Sequence, residues 1–310
     1  MTESYPPAVV TGASRGIGLA TAKGLARRGY QTILVCRDRP AGERALAQVA
    51  GAGPATPVLL VNDLALQRNV RELAREIRAR WSRLPLLIHN AAVVVPERTL
   101  TPDGIELQFA VNHLAVFLLT RELLPLIRAS APARILVTAS QVERSGEIDF
   151  DDLDWKKSYD PARAYARTKL ANVLFTHELA DRLAGTGITV NCLHPGVVRT
   201  RLLETLLSLT SDPGPSRFGA LRRSAGGVLR RLGVLPPVRD WALDPQTAAE
   251  ATLHLATSQE LAHVTGQFFR DLRPAAPSPT SRDPILRSRL WEASARLTAT
   301  DPDWMGQADP

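Results

Sequence analysis

Short, continuous runs of apolar and β-branched residues alternate along this sequence with longer stretches whose apolar residues fall at helical spacing. AVVT (8–11) precedes such a stretch across Ile17–Arg28, TILVC (32–36) one across Pro40–Ala50, and PVLLV (57–61) one across Leu66–Trp81. LLIH (86–89) precedes helices within 103–129, and RILVTA (134–139), a helix across Ala162–Ala184 and ITVNCL (188–193) continue the rhythm. Strands that are apolar along their whole length must be buried on both faces, which parallel strands with helices on either side achieve. Right-handed crossovers between them then predict an α/β fold with a doubly wound parallel sheet.

The rhythm breaks after Leu193. Residues 200–244 carry Pro213, Pro215, Pro236, Pro237, a Gly226–Gly227 pair and a run of arginines from Arg217 to Arg239. Helical spacing there predicts an amphipathic lid, with Leu202, Leu203, Leu206, Leu207 and Leu209 as an apolar wall and Arg222, Arg223, Arg230 and Arg231 outward. A helix near 245–257 and the run GQFFR (266–270) return to the sheet, the Pro/Ser-rich stretch 272–284 reads as a linker, and a last helix follows over 285–297. The expectation is one Rossmann-type domain over 1–271 with a lid insertion at 200–244, then a linker and C-terminal helix over 272–310.

An apolar content of 45% with 22% charged residues excludes disorder of the whole chain. Cys36 and Cys192 lie inside apolar runs and read as buried thiols of a reducing compartment. No apolar run approaches the length of about 20 residues that a membrane span needs, and MTESYPPAVV lacks the marks of a signal peptide, so a cytoplasmic location is expected. The 38 basic against 31 acidic groups would suit nucleic acid, yet aromatics are only 5% and no basic segment is interleaved with them. His113, His177 and His194 are spaced too irregularly for a metal site, so no metal is expected. Asp149, Asp151, Asp152 and Asp154 read as a solvated loop, while Trp155 and Tyr159 are equally suited to lining a pocket or to packing.

The first strand passes to the first helix through Thr11-Gly12-Ala13-Ser14-Arg15-Gly16-Ile17-Gly18. Glycines in that position let the backbone approach a pyrophosphate, and the helix start offers unpaired N–H groups to it. At the end of the second strand, where an acid would bind the ribose hydroxyls of NAD, the chain has Cys36 followed by Arg37. With Arg15 as a second positive charge, a 2′-phosphate and hence NADP(H) is favoured. Tyr165 and Lys169 stand one helical turn apart on one face, and a nearby ammonium would lower the phenol toward the acid/base range. Ser140, ending the fifth strand, is placed to hydrogen-bond the substrate oxygen whose proton Tyr165 handles.

Taken together these motifs resemble the short-chain dehydrogenase/reductase family, over about residues 8–270 and in the right order and spacing. TGASRGIG (11–18) is similar to its glycine turn, Asp63-Leu64 to its adenine contact, HNAA (89–92, with Asn90 and Ala91) to its NNAG strand end, and HPGVVRT (194–200) to its nicotinamide-side loop. Asn112, Ser140, Tyr165 and Lys169 match its catalytic tetrad. The resemblance implies a water held by Asn112 in a proton relay, Lys169 on the nicotinamide ribose, and cofactor contacts from Gly12, Ser14, Gly16, Ile17, Gly18, Pro195, Gly196, Val198 and Thr200. His89 and Ala92 depart from the family pattern without barring the cofactor. AYARTKLANVLFTHELADRLAGTGITVNCLHPGVVRT (164–200), VNHLAVFLLT (111–120) and LWEASARL (290–297) are most like the retinol-dehydrogenase-like branch, as a soluble, bacterial member.

The implied activity is an NADP(H)-dependent interconversion of an alcohol and its aldehyde or ketone on a lipophilic small molecule. A non-redox epimerase or dehydratase, or a dinucleotide-binding regulatory protein, are the alternatives on the same fold. The resemblance also implies a homodimer through the helices at 113–129 and 162–184, and the basic lid suggests docking on an acidic carrier protein or membrane surface.

Overall fold

The computed structural model describes residues 5–209 and 242–304. Its centre is an eight-stranded sheet in the order β3-β2-β1-β4-β5-β6-β7-β8. The strands are β1 (Pro7–Thr11), β2 (Gln31–Cys36), β3 (Val58–Val61), β4 (Leu86–His89), β5 (Ala133–Thr138), β6 (Ile188–His194), β7 (Phe268–Arg270) and β8 (Arg273–Pro274). All are parallel except β8, which pairs antiparallel with β7. The order reverses between β1 and β4, and a doubly wound sheet opens a crevice at that switch point, at the carboxyl ends of its strands.

Both faces of the sheet are spent on burial, as continuous apolar strands require. On β1 and β2, Val9, Ile33 and Val35 face one way, into a core shared with α3 (Gln67–Arg80), α4 (Leu107–Arg128) and α5 (Pro161–Arg182). Their neighbours Ala8, Val10, Leu34 and Cys36 face the other way, against α1 (Gly16–Arg27), α2 (Arg39–Ala50) and α7 (Pro245–Thr257). The remaining helices are α6 (Arg201–Leu209) and α8 (Pro284–Leu297). Both cysteines are free and buried.

Three findings differ from the sequence reading. First, α4 is a continuous helix of 22 residues, long and apolar enough to cross a membrane by length and composition, although no run of that kind was expected. Its apolar surface is spent inside the fold, with Phe117, Leu119, Leu123 and Ile127 fully buried. Second, 272–284 is exposed along most of its length but anchored at points, not a free linker: Phe269 pairs with Pro274 across β7 and β8, and Pro277, Ser278 and Ser281 are buried. Buried hydrogen bonds to α5 and to the loop after β5 replace the water that a Pro/Ser-rich stretch would otherwise need.

Third, the α4 and α5 surface expected to build a dimer is covered by the chain's own α8. Trp291 lies edge-on to Phe117 with centroids 4.9 Å apart, and stacks on Phe175 and Trp304 at 6.1 and 5.1 Å. Its indole N–H donates to Pro302 O at 2.8 Å, so a large aromatic ring is buried with its polar edge satisfied. His113 of α4 bonds Ser294 of α8 at 2.8 Å.

Candidate active site

A crevice of about 520 Å³ opens at the switch point. Its floor is the turn between β1 and α1, locked to the end of β4. Thr11 Oγ1 accepts from Asn90 N and Ala91 N at 3.0 and 3.1 Å, and Asn90 Nδ2 returns a bond to Thr11 O at 2.9 Å. Gly12 has φ +68°, and a Cβ there would stand 2.8 Å from Ala91 Cα; one on Gly18 would stand 2.4 Å from Gly12 O. Only glycine fits either place. Arg15 caps α1 without a side-chain bond and no acid stands in the first turn, which leaves the helix's first N–H groups free to meet an anion.

Gly12, Ser14, Arg15, Gly16, Ile17, Gly18, Arg37, Asp63, Leu64, Asn90, Ala91 and Thr200 line this crevice together. Asn112, Ser140, Tyr165, Lys169, Pro195, Gly196 and Val198 do not. Val198 is buried in a bridge to Leu243, whose N donates to Val197 O at 2.8 Å, and Leu243 also closes on Gly196. The loop is thereby tied to Leu243, and its Arg199 and Thr200 are the residues that reach the crevice lining. Cys36 turns into the core against α2, which leaves the exposed Arg37 at the adenosine end with no acid in the expected position. Arg15, Arg37, Arg199 and Arg201 outnumber Asp63 and Glu204 along the lining.

Asn62, Val93, Thr138, Arg201 and Glu204 also line the crevice, and no motif in the sequence marks them. Asn62 and Thr138 are adjacent to named positions, Asp63 and the strand end before Ser140, and that adjacency was the only signal. Each leaves a buried oxygen without a partner, Asn62 Oδ1 and Thr138 Oγ1. Such orphans, with the glycine floor and the arginines, fit a polar, anionic ligand that brings its own donors.

Three elements bring the four expected catalytic residues to this end of the sheet. Glu106 starts α4 by accepting from Gln108 N and Phe109 N at 2.8 Å each, and a π turn over Ala110–Leu114 widens the helix around Asn112. Asn112 Oδ1 accepts from Val93 N at 2.8 Å, while Nδ2 donates to Val93 O and to Thr168 Oγ1 at 2.9 and 3.2 Å. That side chain therefore clamps the loop after β4 onto α5, and has no donor left for a relay water. Ser140 opens the turn Gln141–Ser145 that follows β5. Asp160 caps α5 through Ala162 N and Arg163 N, fixing the helix start from which Tyr165 and Lys169 descend.

Tyr165 and Lys169 are both buried, and the Lys169 Nζ lies 5.4 Å from the Tyr165 ring centroid. Lys169 Nζ donates to Thr138 O at 2.8 Å, on the crevice wall. The expected lowering of the phenol is not what this geometry gives. Burial raises the Tyr165 pKa and lowers that of Lys169 to about 8, because desolvation disfavours the charged form of each. The ammonium's hydrogen bond goes to the Thr138 carbonyl.

Trp155 and Tyr159 are packing residues. Arg167 lies 4.2 Å over the Trp155 ring, and Tyr159 donates to Val95 O and accepts from Gln108 Nε2. Asp152 of the acidic loop is buried, accepting from Lys156 N and Lys157 N. His89 bonds Thr120 Oγ1 at 2.8 Å, and His177 bonds Ser281 O at 2.9 Å. Leu202, Leu203 and Leu206 of α6 are half-buried, with Leu202 at the crevice, while Leu207 is exposed. The arginines at 217, 222, 223, 230 and 231 lie outside the described residues.

The family model for short chain dehydrogenases matches residues 7–209. The chain belongs to the short-chain dehydrogenase family. Among curated relatives of this short-chain dehydrogenase, retinol dehydrogenase 13 of Mus musculus is 42% identical over 293 residues, covering 93% of this chain and 82% of the relative. Retinol dehydrogenase 14 of Mus musculus is 39% identical over 300 residues, covering 92% and 84%. The dehydrogenase is also similar to two solved structures. An uncharacterized protein from Mycobacterium paratuberculosis has TM-score 0.72 and 28% identity, covering 96% of this chain and 97% of that one. L-sorbose reductase from Gluconobacter frateurii, complexed with NADPH and L-sorbose, has TM-score 0.65 and 25% identity, covering 86% and 94%.

Proposed function

We propose that this short-chain dehydrogenase is an NADP(H)-dependent oxidoreductase that interconverts a lipophilic alcohol and its aldehyde or ketone, with Tyr165 as general acid/base. The observation that carries the reading is the buried Tyr165–Lys169 pair beside the crevice, its lysine bonded to Thr138 on the wall. The nicotinamide, when bound, supplies or accepts the hydride. Gly12, Ser14, Gly16, Ile17, Gly18 and the start of α1 hold the pyrophosphate, and Asn62, Asp63 and Leu64 the adenine end. Arg15 and Arg37 take the 2′-phosphate, since nothing acidic stands where NAD would want a carboxylate.

The Tyr165 phenol gives its proton to a carbonyl oxygen that gains negative charge in reduction, and its phenolate takes the hydroxyl proton in the reverse direction. The Ser140 hydroxyl hydrogen-bonds that oxygen. Lys169 holds the nicotinamide ribose from Thr138's side of the crevice. Asn112 fixes the loop after β4, and its main-chain carbonyl and the free lone pair of Oδ1 are left to hold a relay water. The half-buried leucines of α6 and the names of the retinol dehydrogenases support a lipophilic substrate. We place the enzyme in the cytoplasm on its two free thiols, and cell fractionation tests that placement.

The test is NADPH oxidation followed at 340 nm against all-trans-retinaldehyde, nonanal, decanal and acetophenone. Turnover of at least one, with NADPH preferred to NADH, supports the reading. Tight NADPH binding with no turnover of any leaves the regulatory-protein alternative, and conversion of a substrate with no net NADPH consumption leaves the epimerase or dehydratase.

A further inference from the structure

The turn that carries Ser140 is held by a segment far along the chain. Within the turn Val142 N donates to Ser140 Oγ at 3.4 Å and Glu143 N to Ser140 O at 3.0 Å. Glu143 is 1% exposed and lies outside the lining of the crevice. One residue takes both its carboxylate oxygens: Ser278 N donates to Oε1 at 2.8 Å and Ser278 Oγ to Oε2 at 2.5 Å. Ser278 O accepts from Ser281 Oγ at 2.7 Å, and Ser281 O from His177 Nδ1 at 2.9 Å. Arg144 adds a bond from its guanidinium to Ala276 O.

His177 belongs to α5, the helix of Tyr165 and Lys169. At the end of the turn Gly146 presses on the same helix, so close that a Cβ would stand 2.6 Å from Ala166 O. The Ser140 turn and α5 are therefore joined twice, directly at Gly146 and through Glu143, Ser278, Ser281 and His177. A buried carboxylate is costly, and an apolar side chain would fill the same space more cheaply. What the carboxylate adds is direction, because two hydrogen bonds from one residue fix both distance and angle.

We propose that Glu143 and Ser278 are positioning residues, and that the strap 276–281 sets the Ser140 hydroxyl against the Tyr165 hydroxyl. The inference rests on the oxidoreductase reading above, and assigns a part in catalysis to a segment beyond the matched residues 7–209.

The test compares wild type with Ser278→Ala, which keeps the N–H bond and loses the hydroxyl, and with Ser278→Thr, which restores a hydroxyl. Tyr165→Phe is the control. Three quantities are read: kcat and KM for NADPH-dependent reduction of whichever aldehyde in the panel the wild type turns over fastest, the NADPH dissociation constant, and hydrogen exchange over 141–146. Ser278→Ala is expected to lose about tenfold to a hundredfold in kcat through misplacement of a reacting group. KM and NADPH affinity hold, exchange rises at 141–146 and not on β1, and Ser278→Thr recovers the rate.

Wild-type kcat in Ser278→Ala overturns the proposal, as does a loss spread equally over kcat, NADPH affinity and exchange throughout the chain. If the wild type reduces nothing in the panel, or Tyr165→Phe matches it, the oxidoreductase reading falls instead. The brace is then judged on exchange alone, and unchanged exchange at 141–146 overturns it. Should Ser278→Ala not fold, Ser278→Cys gives the same readings, since it keeps the N–H bond to Glu143 and replaces the hydroxyl by a longer, much weaker donor.

Discussion

Lys169 Nζ donates to the main-chain oxygen of Thr138 at 2.8 Å, which ties the end of β5 to the middle of α5. Burial lowers this ammonium to about pKa 8, so it is mostly charged at pH 7 and mostly neutral at pH 9. If the charged form holds the cofactor, the rate of carbonyl reduction falls as pH rises through about 8. Lys169→Arg, always charged, moves that limb to higher pH or removes it. A pH–rate profile identical in the two proteins contradicts the assignment.

Tyr165→Phe keeps the ring that packs beside Lys169 and removes only the hydroxyl. Turnover is expected to fall by about 10²–10⁴, the usual worth of acid/base catalysis, with NADPH binding and melting temperature near wild type. Steady-state kinetics beside a binding titration check this, and wild-type turnover sinks the role given to Tyr165.

Arg37 is exposed at the adenosine end and Cys36 faces the core. Arg37→Ala is expected to weaken NADPH by about 1.5–3 kcal/mol and NADH hardly at all, because only the 2′-phosphate loses a charge-assisted bond. Calorimetric titration of both cofactors measures it. Equal losses for the two place the arginine elsewhere.

Trp291 is 2% exposed and joins Phe117, Phe175 and Trp304. Trp291→Ala is expected to cost about 3–5 kcal/mol in chemical denaturation, the range for truncating a buried ring. Because α8 covers α4 and α5, the wild type is expected near 33.7 kDa in light scattering. A dimer in solution that persists in Trp291→Ala shows that association uses another surface.

His89 is buried and neutral, with its pKa lowered to about 3, and His113 likewise to about 4. Below the ordinary value of about 6.5 the unfolded chain binds protons that the folded chain refuses, so stability falls as pH falls through that value. The loss at pH 5 is about 2 kcal/mol for each histidine. Denaturation midpoints at pH 7 and pH 5 report it, and His89→Gln flattens the dependence. An unchanged midpoint between those two pH values in the wild type rules it out.

Periodicity was enough for β1 to β7 and for α1, α2, α3, α5, α7 and α8, because a strand buried on both faces must be apolar throughout and a helix on one face must be apolar at its own spacing. The glycine turn was legible for a similar reason: the close approach of Gly12 to Ala91 and of Gly18 to Gly12 is a constraint of single residues. What the sequence could not carry are relations between distant residues. Lys169 reads as charged and near a phenol, yet how far burial outweighs that field depends on the walls around it. Asn112 reads as a residue that holds a water, and nothing local shows that its amide also joins Val93 to Thr168. Pro and Ser in 272–284 read as a linker because nothing local marks Glu143 as the partner of Ser278, a residue 135 positions away. Composition and spacing constrain each segment by itself; desolvation and hydrogen bonding between segments are decided only when the tertiary fold brings them together.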